Sequence, residues 1–189
     1  MKNQVRCKAC GFIMNQDKLG EVCPACGVPK TAFEEYKDPM SEKRKRIIDM
    51  HMHPIIIHFP QAFGIAIPAF IVLGLILNFI SEHPFSELFF SAVAVLIFFL
   101  PLSAAVAIIA GIIDGHTRFK KLNTIILKQK IVTGMILLVL SAIMAVYSLI
   151  DPVTSSSFIF VFILSLLCVP CQIMLGQLGS KIMDSKLPG

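Results

Sequence analysis

Cys7-Lys8-Ala9-Cys10 and Cys23-Pro24-Ala25-Cys26 place four thiols in two Cys-x-x-Cys pairs with twelve residues between them. Each pair fits one tight turn, and two such turns can close on a single tetrahedral ion. Gly11 and Gly27 directly follow the second cysteine of each pair. Without a Cβ the backbone can curl there and aim amides at the sulfurs. Pro24 stiffens the second turn. All-sulfur tetrahedral sites select iron or zinc, and a thiolate-bound metal beside a membrane suits electron transfer better than catalysis in solution.

The next candidates are histidines. His51-Met52-His53-Pro54-Ile55-Ile56-Ile57-His58-Phe59-Pro60 opens the first long apolar run, and His116 follows the second. Ionisable residues at or inside a membrane span are costly and are functional candidates by default. His53 and His58, five apart, project about 140° from each other on an ideal helix, so each faces a different neighbour. Imidazole ligates haem iron, and helix bundles hold such groups between facing helices. His58 and His116 are the first choice for axial ligands of a b-type haem, with His53 as alternate. Interfacial histidines bonded to headgroups are the rival reading. Arg118, beside Lys120 and Lys121, could pair with haem propionates through its bidentate fork. His51 lies outside the apolar run and His83 in the opposite loop; neither is carried further. Cys168-Val169-Pro170-Cys171 could be a dithiol exchanging with quinone, although buried packing suits cysteine more often.

Apolar helices must position these groups. The chain has 189 residues, 56% of them apolar, with a mean hydropathy of +0.78. Soluble domains run about 45–50% apolar. Residues 54–80, 88–113, 131–150 and 158–179 carry no Asp, Glu, Lys or Arg. Each suffices for the roughly 20 residues that cross a hydrocarbon core as a helix. The predicted fold is therefore a mainly α, four-helix transmembrane bundle (53–180) behind a small metal domain (1–37), with a basic linker (38–52) and a tail (181–189).

Ten of the 17 basic residues precede the first span, five lie between the second and third, and two follow the fourth. The remaining two loops have none. The positive-inside rule then puts both termini on the cytoplasmic side. The chain opens polar, without a secretory signal, so the first span is expected to act as an uncleaved anchor. In a reducing compartment paired Cys-x-x-Cys turns hold metal, not disulfides. The net charge of +5 reflects topology and anionic lipid, not nucleic acid. Lys43-Arg44-Lys45-Arg46 reads as a headgroup anchor. No strand alternation, phosphate loop, nucleophile triad or dinucleotide fingerprint is visible.

Residues 5–36, VRCKACGFIMNQDKLGEVCPACGVPKTAFEEY, resemble the rubredoxin-type domain that ends rubrerythrins. The resemblance rests on Cys-x-x-Cys-Gly-aromatic, Cys-Pro-x-Cys-Gly and Pro-Lys-x-x-Phe, with Phe12 where the family commonly has tyrosine. It implies that Cys7, Cys10, Cys23 and Cys26 hold one iron cycling between ferric and ferrous; zinc is the alternative. His-Pro-x-x-x-His-Phe-Pro and the Gly-x-x-Asp closing the second span resemble a family of bacterial four-helix membrane proteins, over roughly residues 53–150. That resemblance implies a haem-binding membrane domain. The family often begins its third helix with a further histidine, where this chain has Leu127-Lys128-Gln129-Lys130.

Together these readings describe an electron carrier or oxidoreductase component in a bacterial or archaeal cytoplasmic membrane. It would pass single electrons between the cysteine-bound iron and a membrane haem or quinone. Its expected partners are lipid, a redox protein and, through the apolar helix surface, a second copy. The rivals are a zinc-ribbon membrane adaptor, a dithiol–quinone oxidoreductase using Cys168 and Cys171, and a metal transporter.

Overall fold

The computed structural model describes residues 4–37, 41–81, 85–120, 122–154 and 157–183. The chain divides into two compact units, one built on the N-terminal strands and the other on Arg46–Gly179.

In the N-terminal unit, β1 (Gln4–Cys7), β2 (Ile13–Asn15) and β3 (Phe33–Tyr36) form an antiparallel sheet in the order β2-β1-β3. Val5 pairs with Met14 on one side and Glu35 on the other. Val5 and Cys7 are buried, while Arg6 between them faces out and bridges Glu34 across the ladder at 2.7 Å. The sequence showed no strand alternation because three or four residues are too few to display the period. Two single 3₁₀ turns, Gln16–Lys18 and Lys30–Ala32, complete the unit.

Among the described residues six helices follow: α1 (Glu42–Asp49), α2 (Met52–Ile56), α3 (His58–Ser81), α4 (Phe85–Phe119), α5 (Ile125–Ile150) and α6 (Ile159–Met183). The segment expected as a linker thus contains a helix, since its Glu, Lys and Arg residues are good helix formers. His51, with φ of 50°, separates α1 from α2. Pro60 has no N–H to offer the Ile56 carbonyl, and the helix is interrupted at Ile57, between α2 and α3.

Among the described residues four helical stretches are long and apolar enough to cross a membrane: Glu42–Ile80, Phe85–Phe119, Ile125–Ile150 and Ile159–Ile182. At a rise of about 1.5 Å per residue, α4 outreaches a hydrocarbon core of about 30 Å. It continues past the uncharged run because Asp114 and Arg118 pair one turn apart.

The bundle centres on α4, which packs against α2, α3 and α5. Its core joins Ile67 and Ile71 of α3, Val93, Ile97 and Leu100 of α4, Met144 of α5, and Val161 and Cys168 of α6. The outer faces are apolar too, with Ile65, Leu102, Val146 and Ile163 exposed. A continuous apolar exterior of this kind is what lipid solvates. Buried Ser141 and Ser165 satisfy their hydroxyls on the carbonyls of Leu138 and Phe162, one turn earlier.

Candidate metal centre

Both cysteine turns are built alike. Gly11 N–H donates to the Cys7 carbonyl at 2.9 Å, and Cys7 N–H to the Phe12 carbonyl at 2.9 Å. Gly27 N–H donates to the Cys23 carbonyl at 2.9 Å, and Cys23 N–H to the Val28 carbonyl at 2.7 Å. Gly11 and Gly27 have φ of 77° and 76°, a left-handed conformation in which a side chain is strained. Each glycine turns the chain back over its own thiols.

The four sulfurs lie within 4.8 Å of one another. Cys7–Cys26 and Cys10–Cys23 are each 3.8 Å apart. Metal–sulfur bonds of about 2.3 Å in a tetrahedron make edges of about 3.8 Å, so the donor set fits one iron or zinc. A disulfide would need about 2.05 Å, far shorter than either of these separations. Cys7 and Cys23 are buried, whereas Cys26 is exposed and opens the centre to one side.

The thiols differ in how readily they ionise. Desolvation pushes Cys23 up, but the amides of Ala25 and Cys26, with the thiols of Cys26 and Cys10, outweigh it and bring Cys23 down to about 7. The Val28 amide lowers Cys26, while desolvation and the thiols of Cys10, Cys23 and Cys7 push it up to about 12. Cys23, which receives two amides, therefore ionises before Cys26.

In the helical unit the three histidines have different surroundings. His53 packs its ring on Gly111 of α4, where a Cβ would stand 2.9 Å from Cε1. Its Nδ1 is buried without a hydrogen-bond partner among the described residues. His58, at the start of α3, and His116, near the end of α4, are exposed. Among the described residues, groups of three or more metal-ligating side chains within reach of one ion are limited to the four cysteines. Arg118 donates from Nε to both Asp114 carboxylate oxygens, at 2.9 and 3.0 Å. Lys121 and His83 lie outside the described residues. Cys168 is fully buried, and Cys171 donates to the Leu167 carbonyl at 3.6 Å.

Two further polar side chains matter that the sequence did not single out as sites. Gln172 is buried in α6 and donates to the Pro60 carbonyl at 2.8 Å. Lys130, in α5, is half-buried with its ammonium against Gly179 of α6. The available signal was a polar residue inside, or at the edge of, an uncharged run.

The rubrerythrin rubredoxin-like domain family matches residues 6–34, which contain both cysteine turns and β2 between them. No curated protein and no solved structure matches the chain.

Proposed function

We propose that this multi-pass membrane protein is a one-electron relay. A rubredoxin-type iron held by Cys7, Cys10, Cys23 and Cys26 exchanges electrons with a membrane-embedded haem b or quinone. The observation that carries the reading is the tetrahedral thiol set, on a rubredoxin-like domain, in one chain with four membrane-length apolar helices. When bound, iron supplies a ferric–ferrous couple. The chain's share is to supply the four sulfurs, direct amides at them and keep two of them buried, which tunes the potential. Exposure of Cys26 gives a soluble redox protein an edge from which to reach the centre.

The distribution of basic residues supports a cytoplasmic membrane of a bacterium or archaeon, with both termini on the cytoplasmic side. His58 and His116 remain the candidate haem ligands, with His53 as alternate and Arg118 as a propionate partner. Tethering would hold the iron domain at high effective concentration near its membrane acceptor.

The test is an optical spectrum of the detergent-purified protein before and after dithionite, with metal analysis of the same sample. Thiolate-to-ferric bands that bleach on reduction, with one iron per chain, support the relay. One zinc per chain without visible absorption overturns it in favour of a zinc-ribbon adaptor. A Soret band lost in His58→Ala or His116→Ala would identify haem as the membrane cofactor.

A further inference from the structure

We propose that Met50, His51 and Met52, at the junction of α1 and α2, form a binding site for a soft monovalent cation, Cu(I). The site does not depend on the relay proposed above.

Among the described residues the four cysteines are the one grouping of thiol, imidazole and carboxylate donors on a single ion; thioethers are a further class of metal ligand. Asp49-Met50-His51-Met52-His53 sets a thioether on each side of one imidazole. Met50 and Met52 are 52% and 53% exposed and His51 is exposed between them, so all three donors are reachable from outside. His53 points elsewhere, onto Gly111 of α4. Covalent adjacency holds the three residues together, with consecutive Cα atoms about 3.8 Å apart. The unbranched methionine chain, with three rotatable bonds, lets each sulfur swing toward the ring.

The imidazole is already set for a ligand's role. Its Nδ1 lies 2.6 Å from the Asp49 carbonyl oxygen. A carbonyl only accepts, so Nδ1 carries the proton and Nε2 presents its lone pair. Metal-binding histidines are held in this way, with the far nitrogen donating to a carbonyl or carboxylate. The backbone is pinned as well. His51 N–H donates to the Ile48 carbonyl at 3.1 Å, and the His51 carbonyl accepts from Ile55 N–H at 3.2 Å. These bonds keep a residue with a side chain at φ of 50°, a left-handed conformation that persists only where its surroundings fix it and that clusters at functional sites.

The donor set chooses the ion. Soft thioethers select Cu(I), whereas magnesium, calcium and manganese prefer oxygen donors and zinc sites are built from thiolate, imidazole and carboxylate. The run Lys43-Arg44-Lys45-Arg46 just upstream in the sequence repels a divalent ion more strongly than a monovalent one. Binding transfers no electron and displaces no proton: three neutral donors hold one ion, and the complex keeps its single positive charge.

The four cysteine thiols also take Cu(I), so the experiment reads the proposed ligands directly. The full chain, zinc-loaded and labelled with methyl-13C methionine, is placed in phosphatidylcholine nanodiscs and titrated without oxygen with bicinchoninate-buffered Cu(I). Met50→Leu and Met52→Leu identify the two methyl resonances. The expected result is that both shift together and saturate while the signals of methionines outside the site, such as Met135 and Met174, stay in place. In His51→Asn, which keeps a residue tolerant of the left-handed turn, the free Cu(I) at half-saturation should rise at least tenfold. Met50→Leu should weaken the response of Met52 by the same factor, and Met52→Leu that of Met50, which tests the site without touching the turn. Zn(II) added in place of Cu(I) should move neither resonance. Absent shifts, shifts shared by Met135 and Met174, or half-saturation unchanged in all three variants overturn the site. An equal response to Zn(II) overturns the assignment to a soft monovalent ion.

Discussion

Gln172 of α6 donates from Nε2 to the Pro60 carbonyl of α3 at 2.8 Å, and its amide fills the space a Cβ on Gly64 would need. The glycine and the amide are one device: α3 lacks a side chain where α6 inserts one. The Gln172 Oε1 remains buried without a donor among the described residues. Gly64→Ala should therefore displace the amide and leave the polar groups unpaired, at roughly 1–3 kcal/mol. Gln172→Met removes donor and orphan acceptor together. Hydrogen bonds between membrane helices average about 0.6 kcal/mol, so this change should cost under about 1 kcal/mol. Unfolding in mixed micelles by titration with dodecyl sulfate, followed by circular dichroism, compares the two. Equal costs would show that the amide is not held by Gly64.

The two cysteine turns depend on left-handed glycines, which gives a sharper test of the metal domain than removing a ligand. Gly11→Ala and Gly27→Ala should each cost about 1–2 kcal/mol through backbone strain. Metal release to a chelator should accelerate accordingly. Gly27→Asn should be milder, because asparagine tolerates this conformation. Gly20, which has neither a positive φ nor crowding, is the control: Gly20→Ala should release metal at the parent rate.

Acidification should weaken metal binding in two regimes. With Cys23 lowered to about 7 and Cys26 raised to about 12, Cys26 carries its proton throughout the neutral range. Cys23 carries one only below about 7. Binding must then displace one more proton below that pH than above it, because the metal takes thiolates. The logarithm of the apparent zinc affinity, measured against a chromophoric chelator, should fall with decreasing pH. Its slope should steepen by one proton as pH drops through about 7. A constant slope between pH 6 and 8 would refute the early ionisation of Cys23.

The metal domain was legible because spacing alone constrains it: two Cys-x-x-Cys turns, each closed by glycine, have few ways to fold other than around one ion. The spans were legible from length, since a charge-free run beyond 20 residues has one stable form in lipid. Helix ends were less so. Asp114 reads as the end of a span, yet its pairing with Arg118 carries α4 on to Phe119. What each polar side chain meets was hidden, because that depends on how the helices rotate against one another. Nothing in the sequence spacing paired Gly64 with Gln172 or Gly111 with His53. His53 and His58 were expected on different faces, and one is half-buried while the other is exposed. Lys130 lay in a basic stretch whose topological role masked its burial.

The His53–Gly111 contact separates packing from ligation. A Cβ at Gly111 would stand 2.9 Å from Cε1 and 3.2 Å from Nδ1 of the imidazole, and a ring yields less readily than a flexible chain. Gly111→Ala should thus destabilise the bundle by about 1–3 kcal/mol through overpacking. His53→Ala should cost a similar amount by opening a cavity against α4. If the ring matters only as volume, the double variant His53→Ala with Gly111→Ala should cost less than the sum of the two changes, because the new methyl enters the vacated space. Dodecyl sulfate titration of the four proteins measures that coupling, and strict additivity would show that the ring and Gly111 are not in contact. Any cofactor that needs the imidazole itself would still be lost in the double variant, so regained stability with lost Soret absorption would assign His53 a role beyond packing.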